Sequence, residues 1–171
     1  AKAMGCTVFV GGPHPTTAPD ELLSHSFIDA VVLGEGERPT IDLLHMFECG
    51  HRHAIKGAHV KLDDGQVAYA NGRNPVESLD RLPFPAWDLI DMNRYIDVWG
   101  QLDSVQPGLR GVNITAARGC PFSCTFCQPV LDAMFGKKLR QRSPQSVISE
   151  LKALKENSVS YTHLRAHETR P

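Results

Sequence analysis

Twice within residues 7–50 a short apolar run ends in glycine and passes into a helix, and this alternation constrains the fold more than any other feature. Thr7-Val8-Phe9-Val10 is β-branched or aromatic throughout and stops at Gly11-Gly12-Pro13, so it reads as a buried parallel strand followed by a tight loop. Pro19-Asp20-Glu21 then opens a short helix. Proline near the first helical position lacks an N–H that would go unpaired there, and acids suit the positive end of the helix dipole. Residues 30–33 form a second buried strand, and Gly34-Glu35-Gly36-Glu37 is the loop at its carboxyl end. Ile41, Leu43, Leu44 and Phe47 supply the apolar face of the next helix, which Gly50 closes. Strand, loop and helix repeated in this order specify an α/β fold with a doubly wound sheet. Ligands of such sheets sit outside the carboxyl ends of the strands, where both glycine loops lie.

Residues 58–62 and 66–70 flank Asp63-Asp64-Gly65 and read as a hairpin. From 71 to 111, Pro75, Pro83, Pro85 and Pro107 interrupt any helix or central strand, which marks a linker. Leu82, Phe84, Trp87, Leu89 and Ile90 are too apolar for a free tether, so the linker is expected to pack on its neighbours. Residues 112–116 read as a strand leading into Arg118-Gly119 and a cysteine-rich loop. Ser143 is the expected N-cap of a helix whose stripe is Val147, Ile148, Leu151 and Leu154. At residue 158 the character changes abruptly, and 158–171 resembles translated sequencing-adapter sequence, a tail expected to be non-native.

Charge excludes one broad class of function. Eighteen basic residues nearly balance nineteen acidic ones, so no general field attracts nucleic acid or anionic lipid, and ligands must be recognised locally. No apolar run approaches the ~20 residues needed to cross a bilayer. Five cysteines, three of them between 120 and 127, suggest metal ligation in a reducing cytoplasm and not an extracellular disulfide framework.

Those three, Cys120, Cys124 and Cys127, have the spacing C-x3-C-x2-C directly after a strand. Three soft thiolates converging on one centre suit a cuboidal iron–sulfur cluster in which one iron keeps no protein ligand. A structural zinc site is the rival. Zinc wants four ligands in a closed tetrahedron, and no second knuckle accompanies this loop, although Cys49, His51 and His53 stand upstream. A bacterial ferredoxin run would be C-x2-C-x2-C with a fourth cysteine soon after.

The loop resembles that of radical S-adenosylmethionine enzymes. The resemblance rests on the cysteine spacing, Arg118-Gly119 before it, Pro121-Phe122 after the first cysteine, and Phe126 before the last. It implies a 4Fe-4S cluster on Cys120, Cys124 and Cys127 whose open iron chelates S-adenosylmethionine. Reductive cleavage would then give a 5′-deoxyadenosyl radical that abstracts a substrate hydrogen. It also implies a small-molecule substrate and an external one-electron reductant such as a flavodoxin or ferredoxin. Phe126 would lie near the adenine, or else simply pack in the core.

Val8 to Thr16 followed by Asp29 to Glu37 is similar to the later half of a cobalamin-binding domain. Taken alone, each glycine loop is equally a tight strand-to-helix turn. Their order, followed by Leu82-Pro83-Phe84-Pro85-Ala86-Trp87 and then the cysteine loop, resembles the cobalamin-domain class of radical enzymes. The class implies cobalamin near Gly11, Gly12, His14, Gly34, Glu35 and Gly36, with methyl transfer, cyclisation or rearrangement as the outcome. His14 either touches the ligand or solvent, and Glu35 and Glu37 either touch it or cap a helix. The expected division is residues 1–56 as the later part of a Rossmann-like cobalamin domain, 57–110 as hairpin and linker, and 111–157 as the first βα unit of a partial (β/α) barrel. By this resemblance the chain is a fragment, and it is not expected to turn over alone.

Other residues have plainer readings. Cys6 and Cys49 are expected to be buried as small apolar side chains. Lys137, Lys138, Arg140 and Arg142 form a basic run that either faces a carboxylate or phosphate or, the safer reading, is a solvated surface, and the two arginines recur in position with the family pattern after the cluster loop. Cys49-x-His51-x-His53, beside Gly50, reads as a helix terminus or polar turn.

Overall fold

The computed structural model describes residues 1–70, 72–95, 112–125 and 129–157. The chain divides into two compact units, 1–77 with 118–140 and 78–117 with 141–171. In the first unit, β1 (Phe9–Val10) and β2 (Ala30–Val32) run parallel, with Phe9 opposite Ala30 and Val10 opposite Val31. Their crossover holds two short helices, α1 (Pro13–Thr17) and α2 (Pro19–Leu23). The expected loop after β1 is thus already the start of a helix: Gly12, at φ 112°, turns the chain into α1 with proline in its first turn. After β2 the chain enters α3 (Glu37–Cys49), which ends at Gly50 in the left-handed conformation, φ 75°.

β3 (Ala58–Lys61) and β4 (Val67–Ala68) are the hairpin read from the sequence, but they join the same sheet. β3 lies antiparallel to β2, with Val31 opposite His59, and the order is β1-β2-β3-β4. The doubly wound expectation is corrected on this point: one parallel pair is continued by antiparallel strands. The cause is a reversal before β3, where Ile55 bridges Ala58 around Gly57 at φ 85°.

Side chains on β2 alternate between two cores, as a strand buried on both faces requires. Ala30 and Val32 pack with Leu43, Met46, Ile55, Ala58 and Val60, while Val31 packs with Leu23 and Ile28. On α3 the buried residues are Pro39, Leu43 and Met46, whereas Ile41 and Leu44 are 54% and 48% exposed, contrary to the expected face. Burying a leucine such as Leu43 contributes about 2 kcal/mol. At the foot of β2, Asp29 receives Lys2 Nζ at 2.6 Å, the Val8 N–H at 2.9 Å and Arg52 Nη1 at 3.2 Å. Burial raises its pKa, but these donors more than offset that and leave it below the ordinary carboxylate value.

Two further strands, β5 (Ala117–Arg118) and β6 (Arg140–Gln141), pair with each other, and α4 (Pro129–Phe135) lies between them in sequence. The strand expected at 112–116 is not formed there; the chain enters a strand only at 117–118. Within the second unit, Val112 and Ile114 instead pack beside Met92, Leu154 and Trp87. Its long helix, α5 (Pro144–Asn157), is capped as read: Ser143 Oγ accepts the Ser146 N–H at 3.1 Å. Linker packing is partial, since Trp87 enters this core while Leu89 is 79% exposed. Among the described residues no helix is long and apolar enough to cross a membrane. The tail at 158–171 lies outside the described residues.

Candidate functional site

The two glycine loops meet in the first unit. Thr16, on α1, joins them through one hydroxyl: it accepts the Gly34 N–H at 2.9 Å and donates to the Gly12 carbonyl at 2.7 Å. Gly11, Gly12, Gly34, Glu35 and Gly36 then line one cavity of about 340 Å³, with Glu37, Arg118, Met134 and Phe135 also on its wall. Absence of side chains matters most at Gly34, whose φ is +71° and where an added Cβ would lie 2.9 Å from the Met134 carbonyl oxygen. His14 is not on this wall; it is exposed, with Nε2 3.8 Å from a Glu21 carboxylate oxygen.

Glu35 lines the cavity with its carboxylate fully engaged. One oxygen accepts Arg118 Nη1 at 3.0 Å and the Val76 N–H at 3.1 Å, and the other accepts Arg140 Nη2. Burial pushes the Glu35 pKa up, and these three donors bring it below the ordinary glutamate value. Arg118 also donates to Glu37 Oε1 at 2.6 Å, and its guanidinium stands 5.9 Å from the Phe135 ring centre. Burial alone would lower the Arg118 pKa, but the two carboxylates raise it. The second Glu37 oxygen is buried with no hydrogen-bond partner among the described residues. A buried acceptor left open on a cavity wall suits a ligand that carries N–H or O–H donors. The corrinoid periphery is rich in amide donors, so the donor set and glycine rim fit part of such a group, and the volume fits its tail better than its ring.

The cysteine loop leaves β5 through Gly119, at φ +88°, where an added Cβ would run into the Lys138 carbonyl. The Cys120 N–H donates to the Gly136 carbonyl at 3.3 Å, so the loop base is held by backbone of the segment that returns from α4. Lys137 Nζ reaches Ser123 Oγ at 2.6 Å. Cys120 and Cys124 are half-buried free thiols, a state that suits metal ligation, while Phe126 and Cys127 lie outside the described residues. No group of three or more His, Cys, Asp or Glu side chains converges among the described residues, Cys49, His51 and His53 included.

Several plain readings are corrected. Cys6 and Cys49 are exposed, because one precedes β1 and the other ends α3 on its outer side. Arg140 is buried on Glu35, and Arg142 pairs with Glu150, so the basic face is reduced to Lys137 and Lys138. Sequence reasoning missed Arg118, Arg140, Thr16 and Phe135 as parts of the site. Arg118 carried a signal in its place just before Gly119-Cys120, whereas Phe135 carried none.

No protein-family model matches the chain. It is 36% identical over 158 residues to an uncharacterized methyltransferase of Pyrococcus horikoshii, an alignment that covers 90% of this chain and 32% of that protein. It is 31% identical over 166 residues to the anaerobic magnesium-protoporphyrin IX monomethyl ester cyclase of Rubrivivax gelatinosus, covering 93% and 28%. The chain thus spans about a third of the length of the curated relatives it matches. In fold it is similar to the radical S-adenosylmethionine methyltransferase TsrM of Kitasatospora setae, solved with cobalamin and a [4Fe-4S] cluster, at a TM-score of 0.64 and 22% identity over 95% of this chain and 31% of that one. Along nine-tenths of its sequence, with the glycine loops and the cysteine loop in one chain, it is similar to a methyltransferase and a cyclase, and its fold is shared with a radical S-adenosylmethionine methyltransferase.

Proposed function

We propose that this chain is the cofactor-bearing part of an enzyme that cleaves S-adenosylmethionine reductively on a 4Fe-4S cluster, with cobalamin as second cofactor, to methylate, cyclise or rearrange a small organic substrate. The observation that carries it is the free-thiol loop, anchored on the same unit as the glycine-rimmed cavity. When bound, the cluster supplies the electron for breaking a carbon–sulfur bond, and cobalamin supplies a methyl carrier or redox partner. Cys120, Cys124 and Cys127 would hold the cluster, and Phe126 would face S-adenosylmethionine. Gly11, Gly12, Gly34 and Gly36 would let the backbone approach the corrinoid, and the open oxygen of Glu37 would accept a hydrogen bond from it. Gly119 and the Gly136 carbonyl hold the loop base, so the thiols are presented from a fixed root. A one-electron reductant such as a flavodoxin or ferredoxin completes the proposal, in a cytoplasmic setting.

The test is anaerobic reconstitution of the full-length protein. About four irons and four sulfides per chain are expected, with a corrinoid spectrum that survives desalting after incubation with hydroxocobalamin. One zinc with no sulfide would leave only a metal-stabilised module. A second reading, a radical enzyme whose upstream domain no longer binds corrinoid, is favoured by the cavity of about 340 Å³. A cluster without retained corrinoid would establish that reading instead.

A further inference from the structure

We propose that Glu35 is a positioning residue, one buried carboxylate that grips both ends of the segment carrying the cysteine loop. That segment leaves at Arg118 and returns at Arg140. Arg118 bonds one oxygen of Glu35 and Arg140 the other, across 83 and 105 residues of sequence respectively. The Glu35 side chain has no solvent exposure. Arg140 adds bonds to the Val76 carbonyl at 2.6 Å and the Phe135 carbonyl at 3.0 Å, so the returning end is fixed in three directions. With Glu37 also on Arg118, two guanidiniums face two carboxylates, and the buried charge is compensated.

Glu35 sits between Gly34 and Gly36 on the rim of the cavity, immediately after β2. The clasp therefore ties the root of the thiol loop to the glycine rim within one unit. Both Glu35 oxygens are spent on protein donors, which assigns this residue to holding the loop and leaves ligand contact to its glycine neighbours. The assignment rests on the functional reading above for what the loop carries, but not for the clasp itself.

The experiment uses the full-length protein and the variants Glu35→Gln and Arg140→Gln, which break the clasp with opposite changes of charge. Hydrogen exchange without cofactors comes first. Amides at 119–124 are expected to exchange about tenfold faster or more in either variant, the consequence of losing a charge-assisted hydrogen bond, while β2 and β3 keep their protection. In the reconstituted protein, iron content is expected to be kept. The change that S-adenosylmethionine makes in the electron paramagnetic resonance spectrum of the reduced cluster is expected to be lost or at least halved in both variants. Unchanged exchange at 119–124 in both variants, a rise spread evenly over the sheet, or a wild-type spectral response would each overturn the assignment. A wild type that takes up no iron sinks the functional reading, and exchange still decides the clasp. Should Glu35→Gln fail to fold, Arg140→Gln carries the same test.

Discussion

Gly50 and Gly119 both have positive φ, +75° and +88°, and opposite surroundings. A Cβ on Gly50 would meet nothing within 4 Å, whereas one on Gly119 would enter the Lys138 carbonyl. Gly50→Ala should therefore cost only the left-handed penalty, about 1 kcal/mol. Gly119→Ala adds a backbone collision at the root of the thiol loop and should cost about 3 kcal/mol. Urea unfolding of both variants measures the difference, and equal losses would mean that the loop root yields freely. The buried carboxylates make a second prediction at this scale. Asp29 and Glu35 both have folded pKa values below their ordinary 3.8 and 4.5. A lowered folded pKa means that the unfolded chain binds the proton first, so their stabilisation is present above those ordinary values and drains away as pH falls through the lower folded ones. Unfolding free energy should fall as pH drops below about 4.5, and Asp29→Asn and Glu35→Gln should each flatten that fall. A slope that both substitutions leave untouched would place the acid sensitivity elsewhere.

Elements were legible where local chemistry decides them. Gly50 stops α3 and Ser143 starts α5, each as the residue type alone requires. Ser143→Ala removes the hydroxyl that accepts the Ser146 N–H and should cost about 1 kcal/mol, read from thermal unfolding monitored by helical circular dichroism. Asp80 accepts the Ser143 N–H at 2.9 Å, so this cap is also tied to the turn at Leu79–Arg81. An unchanged melting curve would show that the Asp80 contact alone defines the helix start. Elements were illegible where two patterns compete. On α3, Ile41 and Leu44 are as apolar as Leu43 and Met46, and only the position of the sheet selects which stripe is buried. Direction of β3 was hidden for a similar reason: a hairpin reads alike whether its first strand joins a neighbour parallel or antiparallel, and the reversal at Gly57 settles it. A carboxylate partner was one of two readings open for Arg140, and which carboxylate it meets is hidden in the sequence because Glu35 is 105 residues away. A run of basic residues looks solvated until the fold supplies a carboxylate.

For the whole molecule, the glycine rim and the thiol loop are distinct pieces of chemistry within one compact unit, and that predicts two separable lesions. Cys124→Ala removes a thiol from the loop, and Cys124 is not one of the residues that line the cavity. Gly36→Leu does the reverse. Gly36 has φ −90°, and its added Cβ would make only ordinary contacts, 3.7 Å to Thr40 and 3.8 Å to Val32, so the backbone tolerates a side chain that then fills the rim. In the full-length protein, reconstituted anaerobically and desalted, Cys124→Ala is expected to lose most of its iron and sulfide while keeping its corrinoid. Gly36→Leu is expected to keep its iron while its affinity for hydroxocobalamin falls about tenfold, the effect of roughly 1.4 kcal/mol of lost complementarity. Iron analysis and the corrinoid absorbance decide both arms in the same samples. If Gly36→Leu binds hydroxocobalamin as the wild type does, the cavity is not the corrinoid site. If each variant loses both groups together, the two sites are coupled more tightly than their separate linings imply, and the Glu35 clasp is the structural element through which that coupling would run.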